Sequence, residues 1–354
     1  MKKHNFYAGP SILSEYTIKN TAAAVENFAG MGLSLLEISH RSKEFVAVND
    51  EARALIKELL DVPAGYEVVF MGGGASMQFC MVPYNLLNKK ASYLDTGTWA
   101  SNAIKEAKLF GEVDVVASSK DKNYTYIPKG YAIADDSDYF HFTSNNTIYG
   151  TEMRKDPDVK QRLVCDMSSD IFSRPIDISK YDIIYAGAQK NMGIAGLGVA
   201  IIREDLLQDV AETTPVLLDY KLMIKNDSMY NTPPAYAIYV LGLVLEWIDS
   251  LGGLEVMKER NEKKAKLVYD YLDQSTFYKA HSDKENRSLM NVTFTTPNKD
   301  LDAKFVKESI EAGMTNLKGH RSVGGIRASI YNAMPYEGVE KLVAFMKEFE
   351  QNNQ

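Results

Sequence analysis

Along the chain, short apolar and β-branched runs alternate with longer stretches whose apolar residues recur at helical spacing. YEVVFM (66–71) precedes a glycine cluster, ASYLDT (91–96) precedes WASNAIKEAKLFG, and GEVDVVAS (111–118) follows. DYFHFTSN (138–145), RLVCDM (162–167), YDIIYAGA (181–188) and GLGVAIIR (196–203) continue the series. Strands alternating with helices predict an α/β domain with a mostly parallel sheet. One interval departs from that rule. Residues 189–195, between YDIIYAGA and GLGVAIIR, are too few for a parallel crossover, which needs about a dozen. That pair is expected to run antiparallel, which makes the sheet mixed.

After residue 230 the texture changes. AYAIYVLGLVLEWIDSLG (235–252) reads as a largely apolar helix, and LEVMKERNEKKAKLVYDYLDQ (254–274) as a charged amphipathic one. Its expected buried face carries Leu254, Met257 and Lys258, then Leu267, Val268, Tyr271 and Leu272. LMNVTFTT (289–296), a helix at 301–312, VGGIRASIYN (323–332) and a final helix from Tyr336 complete a small α+β unit. The expected division is a large domain, 1–255, and a smaller C-terminal α+β domain, 256–354. Residues 1–15 are left free to pack on the smaller one.

The full sequence has 354 residues, 45% apolar and 25% charged, enough for a large core without disulfide or metal staples. Forty Lys and Arg against 47 Asp and Glu leave a net charge of −7, which argues against a nucleic-acid partner. Cys80 and Cys165 sit in the apolar runs FCMV and LVCDM and read as buried hydrophobes. No Cys/His cluster exists, so no metal is expected. The start, MKKHNFYAGPSILSEY, lacks the apolar centre of a secretory signal. Nearly apolar runs such as 194–202, which contains two glycines, fall short of the ~20 residues of a membrane span. A cytoplasmic protein with no membrane partner is expected.

Four features carry candidate chemistry. Gly72-Gly73-Gly74-Ala75-Ser76 follows a strand and opens an apolar helical pattern, where free N–H groups and the helix dipole can hold a phosphate. It is neither G-x-G-x-x-G nor a P-loop, and a ligand-free βα turn is the plain alternative. Asp166 ends the strand RLVCD, where α/β proteins bind ligands, although a turn cap would look the same. Lys190, in AGAQKNMG, follows a nearly apolar run, so desolvation would lower its pKa and free a nucleophilic amine. An amine and a carboxylate at neighbouring strand ends, with a phosphate cradle upstream, match the needs of pyridoxal phosphate. Trp99, just after a strand, could stack on its ring or simply fill the core. Finally, residues 312–336 contain no Asp or Glu but hold Lys318, His320, Arg321 and Arg327, which suggests an anion pocket. His40 and Arg41 with Lys43 form a smaller basic cluster, partly balanced by Glu44.

The sequence resembles the phosphoserine aminotransferases, fold-type-I pyridoxal-phosphate enzymes, over essentially its whole length. The resemblance is carried by NFYAGPSIL, ISHRSKEF, MGGGASMQF, DTGTWASNAIKEAK, SNNTIYGTE, DMSSDIFSRPID, YAGAQKNMGIAGLGV, DYKLMIKNDSMYNTPPAYAIY and KGHRSVGGIRASIYNAMP. It implies a ping-pong aminotransferase taking L-glutamate and 3-phosphohydroxypyruvate to 2-oxoglutarate and O-phospho-L-serine. It implies that Lys190 binds the cofactor covalently and moves the proton, that Asp166 pairs with the pyridine nitrogen, and that Trp99 stacks on the ring. Thr147 would bond the ring hydroxyl, while Ala75, Ser76 and Gln189 hold the cofactor phosphate. Asn231 and Thr232 would reach that phosphate from the second subunit of a homodimer. Arg41 and Arg327 resemble the substrate-carboxylate contacts, beside His40, and His320 and Arg321 the substrate-phosphate contacts.

Two departures stand out. Some members have Arg-Gly where this chain has Ser76-Met77, so the hydroxyl and helix N-terminus carry more of the phosphate anchoring. Some have Ser where this chain has Ala8, leaving only a backbone contact there. A cysteine desulfurase would need a mobile nucleophilic thiol, which two cysteines in core elements do not offer. A non-catalytic anion-binding protein using Gly72–Gly74 and a Rossmann dehydrogenase are the remaining readings, the latter without its glycine fingerprint.

Overall fold

The structure, a computed structural model, describes residues 3–207 and 215–353. A central sheet contains β1 (Tyr66–Gly72), β2 (Lys90–Asp95), β3 (Glu112–Ser118), β4 (Tyr139–Thr143), β5 (Arg162–Asp166), β6 (Ile183–Gly187) and β7 (Leu197–Arg203). Their order is β1-β7-β6-β5-β4-β2-β3. β7 is antiparallel to both neighbours, with Gly198 opposite Gly187 on one side and Met71 on the other. The other pairs are parallel. The mixed sheet is the one the short 189–195 link requires.

Helices cover both faces, so the central strands are apolar on both. Alternate residues serve opposite cores: Ile184 and Ala186 of β6 face one, Ile183 and Tyr185 the other. The first core is closed by α2 (Lys43–Leu59) and α5 (Ala235–Ser250), through Phe45, Ile56, Ile238 and Leu245. The second is closed by α3 (Gly74–Leu86) and α4 (Thr98–Ala107), through Phe79, Met81 and Ala103. Among the described residues no single helix is long and apolar enough to cross a membrane.

α6 (Gly253–Gln274) meets α5 at 84° and leads to a separate core. Its Leu254 and Met257 still pack with the large sheet, whereas Ala265, Val268 and Leu272 pack with Phe6, Phe294 and Phe305. The change of core thus falls within one unbroken helix. The buried stripe differs from the sequence expectation. Lys258 is exposed, while Asn261 and Lys264 are buried at the junction. The Lys264 amine donates to the carbonyls of Ile330 (3.0 Å) and Tyr331 (2.7 Å), and Asn261 donates to Ser173 O (3.1 Å). Polar residues break the helical pattern, yet here the donors of both find backbone carbonyls.

A small antiparallel sheet, β8 (Lys279–Ala280), β9 (Asn291–Thr295) and β10 (Ile326–Ser329), underlies this second unit. His4–Asn5 pairs in parallel with Met314–Thr315, which draws the first residues of the chain onto it. Cys165 is fully buried, but Cys80 is only half-buried: position 80 on α3 faces α4, with its thiol 3.8 Å from Glu106 Oε2.

Candidate active site

The C-terminal ends of β5 and β6 lie side by side and carry the first two chemical groups. Asp166 is the last residue of β5 and 5% exposed. Its Oδ1 accepts the Ser168 N–H (2.9 Å) and hydroxyl (2.6 Å), while Ser168 Oγ accepts the Gly187 N–H at 3.1 Å. One serine therefore ties the carboxylate to the end of the neighbouring strand. Burial pushes the Asp166 carboxyl up; the Lys190 ammonium and the Ser168 bonds act in the opposite direction.

Lys190 stands in the turn after β6, partly exposed, with Nζ donating to Thr147 Oγ1 at 2.7 Å. Desolvation is the largest influence on it and brings its pKa down to about 8, helped by Arg327 and opposed by Asp166 and Asp170. The amine lies 5.8 Å from the centroid of the Trp99 ring. Arg327, buried on β10, reaches across from the small sheet and donates to the Thr147 carbonyl at 3.3 Å. Its own pKa is lowered by burial, yet a guanidinium keeps its charge at neutral pH.

The N-terminal segment crosses this turn. Ser11 N–H donates to Gln189 O at 2.9 Å, its hydroxyl donates to Lys190 O, and the Ala8 carbonyl accepts the Tyr331 hydroxyl at 2.8 Å. Ala8 is thus used through its backbone alone.

The glycine turn comes close to the same strand ends. Gly73 (φ 89°) and Gly74 (φ 62°) hold left-handed conformations that start α3 without a side-chain cap. A Cβ on Gly198 would lie 2.8 Å from Gly74 O, and one on Gly187 would lie 2.8 Å from Gln189 Oε1 and 3.3 Å from Ala75 N. The sheet has no side chains where the turn must pass. Ala75 N–H, Gln189 and the open first turn of α3 therefore converge on one spot. Gln189 Oε1 and Trp99 Nε1 are buried there without hydrogen-bond partners. These orphaned polar atoms, the cradle, the desolvated amine and the strand-end carboxylate fit pyridoxal phosphate.

Other sequence candidates are not drawn in by the same chain. Arg41 is exposed in the turn before α2, and His40 keeps Nε2 buried and unpartnered. Ser76 is exposed beside the cradle. Asn231 and Thr232, both exposed, line a hollow of 170 Å³ with Gly72 and Met77. His320 lies near enough to Arg327 and Arg321 for both to lower its pKa, after burial. Arg321 is exposed and lines a 600 Å³ hollow with Lys318 and Lys299. Sequence reasoning missed Ser168 and Ser11; the serines following Asp166 in DMSSD were the available signal.

Comparison with known proteins agrees with this chemistry. The profile of the class-V aminotransferases matches residues 4–342. A phosphoserine aminotransferase of Parabacteroides distasonis is 74% identical over 355 residues, covering 100% of both chains. That of Porphyromonas gingivalis is 57% identical, covering 99% of each. The phosphoserine aminotransferase structure from Bacillus circulans subsp. alkalophilus superposes with a TM-score of 0.98 at 46% identity, covering 100% of this chain and 99% of that one. A pyridoxal-phosphate-bound phosphoserine aminotransferase from Trichomonas vaginalis gives 0.94 at 40% identity, covering 98% and 100%. The chain belongs to the class-V aminotransferases, and among them to the phosphoserine aminotransferase family.

Proposed function

We infer that this chain is a pyridoxal-phosphate-dependent phosphoserine aminotransferase. It moves the amino group of L-glutamate to 3-phosphohydroxypyruvate, giving 2-oxoglutarate and O-phospho-L-serine in serine biosynthesis. The observation that carries this reading is the Lys190 amine, lowered to about 8 and held by Thr147 beside buried Asp166, with a backbone cradle next to it.

Bound pyridoxal phosphate supplies the electron sink for bonds at the α-carbon. Lys190 Nζ binds the cofactor and takes and returns the proton, its lowered pKa leaving roughly a tenth of the amine neutral at pH 7, far more than a solvated lysine would have. Thr147 orients that amine, and Asp166 keeps a compensating negative charge at the end of β5, fixed by Ser168. Trp99 covers the site beside Lys190. Ala75 N–H, the Ser76 hydroxyl and Gln189 hold the phosphate with the start of α3. Arg327 and Arg41, beside His40, take the substrate carboxylate, and His320 with Arg321 the substrate phosphate. Glutamate and the phosphorylated oxo acid are both polyanions, so one cationic pocket serves them in turn, as a ping-pong reaction needs.

The residues left exposed are completed by a second copy of the chain. Exposed apolar side chains flank three of these places: Leu33 and Leu36 precede His40 and Arg41, Met77 follows Ser76, and Leu217 and Tyr230 border Asn231 and Thr232. Light scattering is expected to give twice the mass of one chain; a monomer at working concentration contradicts this. A cytoplasmic location belongs to the same reading, supported by the two free thiols, Cys80 and Cys165.

Arg321→Ala tests the division of labour. Losing one charge-assisted contact should lower kcat/KM for 3-phosphohydroxypyruvate roughly 10–100-fold more than that for glutamate. Equal losses for both would make Arg321 a structural residue.

A further inference from the structure

One buried carboxyl has no part in the chemistry above. Asp170 lies in the turn after β5, 4% exposed, its N–H on the Met167 carbonyl at 3.2 Å. The Ser144 hydroxyl, just beyond β4, faces two acceptors: Asp170 Oδ1 and, at 3.2 Å, the backbone carbonyl of Asp166. That carbonyl also receives the Ser144 N–H at 3.1 Å. A hydroxyl has one proton to donate, so it cannot serve an ionised Asp170 and the Asp166 carbonyl together. With a proton on Asp170 the count closes. The carboxyl donates to Ser144 Oγ, and Ser144 donates to the carbonyl at the end of β5.

The surroundings favour the same state. Glu152, 2% exposed, and Asp166 face Asp170 with like charge, and the Cys165 thiol lies close by on β5. Lys190 approaches from the end of β6. Arg174, on the same turn, acts on Asp170 through space, but no ion pair joins them among the described residues, and its Nε is buried without a partner. Burial is the main cause that pushes the Asp170 carboxyl up to about 7; Glu152 and Asp166 add to it, while Arg174 and Ser144 oppose it.

We propose that Asp170 is a positioning residue that carries a proton in the working enzyme, pinning the β5 end through Ser144 and withholding a second negative charge from Lys190. An ionised Asp170 favours the protonated amine at position 190. The proton on Asp170 therefore keeps that amine free. The consequence at Lys190 rests on the function proposed above; the protonation of Asp170 does not.

Infrared spectroscopy of the cofactor-free protein reads the proton directly. A protonated-carboxyl C=O stretch should be present at about pH 5, fade by about pH 9, and be missing in Asp170→Asn, whose amide can still donate to Ser144. In Ser144→Ala the pH at which the band fades should move. In the loaded enzyme, the pH midpoint of the cofactor's visible absorption band should stay within roughly a few tenths of a pH unit in Asp170→Asn, whose neutral amide stands in for the protonated carboxyl. The proposal is overturned if wild-type protein lacks the carboxyl band throughout that range, which needs no variant to fold. It is also overturned if Asp170→Asn keeps the whole band, or lowers the visible midpoint by roughly half a pH unit or more, which would show an ionised Asp170 beside Lys190. A failed turnover assay would sink the functional reading and leave the infrared result standing.

Discussion

Replacing Lys190 with alanine should lower turnover by about a thousandfold or more, because covalent binding of the cofactor and proton transfer are lost with one amine. The fold should survive the change. Lys190 is partly exposed, and among the described residues its single side-chain bond is to Thr147 at 2.7 Å. A bond of that kind contributes about 1 kcal/mol. Removing an amine whose burial disfavours its charged form also relieves a desolvation cost. Thermal midpoints within a few degrees of wild type, beside a near-total loss of kcat, are the expected pair. A variant that still transaminates at near wild-type rate would remove Lys190 from the chemistry.

Asp166→Asn should be nearly as damaging to rate while sparing the fold. The amide has the same shape, and its oxygen can still accept from the Ser168 N–H and hydroxyl, now at 2.9 and 2.6 Å. What disappears is the negative charge at the end of β5. Loss of one preorganised charge that acts in the transition state costs about 100–1,000-fold in kcat. The cofactor-free protein should move the other way. Burial raises the Asp166 pKa above its unfolded value, so the ionised carboxylate destabilises the fold at neutral pH. Asparagine removes that cost, and the thermal midpoint of the cofactor-free variant should equal or exceed that of wild type. Calorimetry beside steady-state kinetics checks both halves. Unchanged kcat, or a marked fall in the midpoint, would show that Asp166 serves the fold instead of the reaction.

The inner strands of the central sheet were legible because they are buried on both faces, which demands unbroken runs such as RLVCD and IIYAG. The antiparallel β6–β7 pair followed from the length of the link alone. Asp166 and Lys190 stood out because each ends such a run with a charge. Less legible were groups whose partners lie far along the chain. Ser168 reads as a turn residue until β6 places the Gly187 N–H against its hydroxyl. Asp170 reads the same way until β4 brings Ser144 to it. Lys264 and Asn261 interrupt the apolar stripe of α6, and only distant partners explain their burial: the 330–331 carbonyls for Lys264, and the Ser173 carbonyl and Asn332 side chain for Asn261. Helix α1 (Glu15–Glu26) has a serine N-cap, Ser14, but too few apolar residues in register to declare itself. By contrast α2, capped by Ser42, carries Phe45, Val48, Ala52, Ile56 and Leu59 at helical spacing, a signal that sequence reasoning missed. The pairing of His4–Asn5 with Met314–Thr315 joins opposite ends of the chain, beyond the reach of any local pattern.

The acidic chain average likewise conceals where cations gather. The acid-free segment 312–336 supplies β10, and β10 places Arg327 over Thr147 and Lys190. The cationic group at the site therefore comes from the small sheet, while the amine and carboxylate come from the large one. The site lies where the two units meet.

The central claim is a lysine-based aminotransferase whose second substrate carries a phosphate. Its most direct test compares kcat/KM for 3-phosphohydroxypyruvate and for 3-hydroxypyruvate, with glutamate as amino donor. A site built to bond the phosphate should reject the acid lacking it, by at least about 100-fold. Equal efficiency with the two acids would contradict the account.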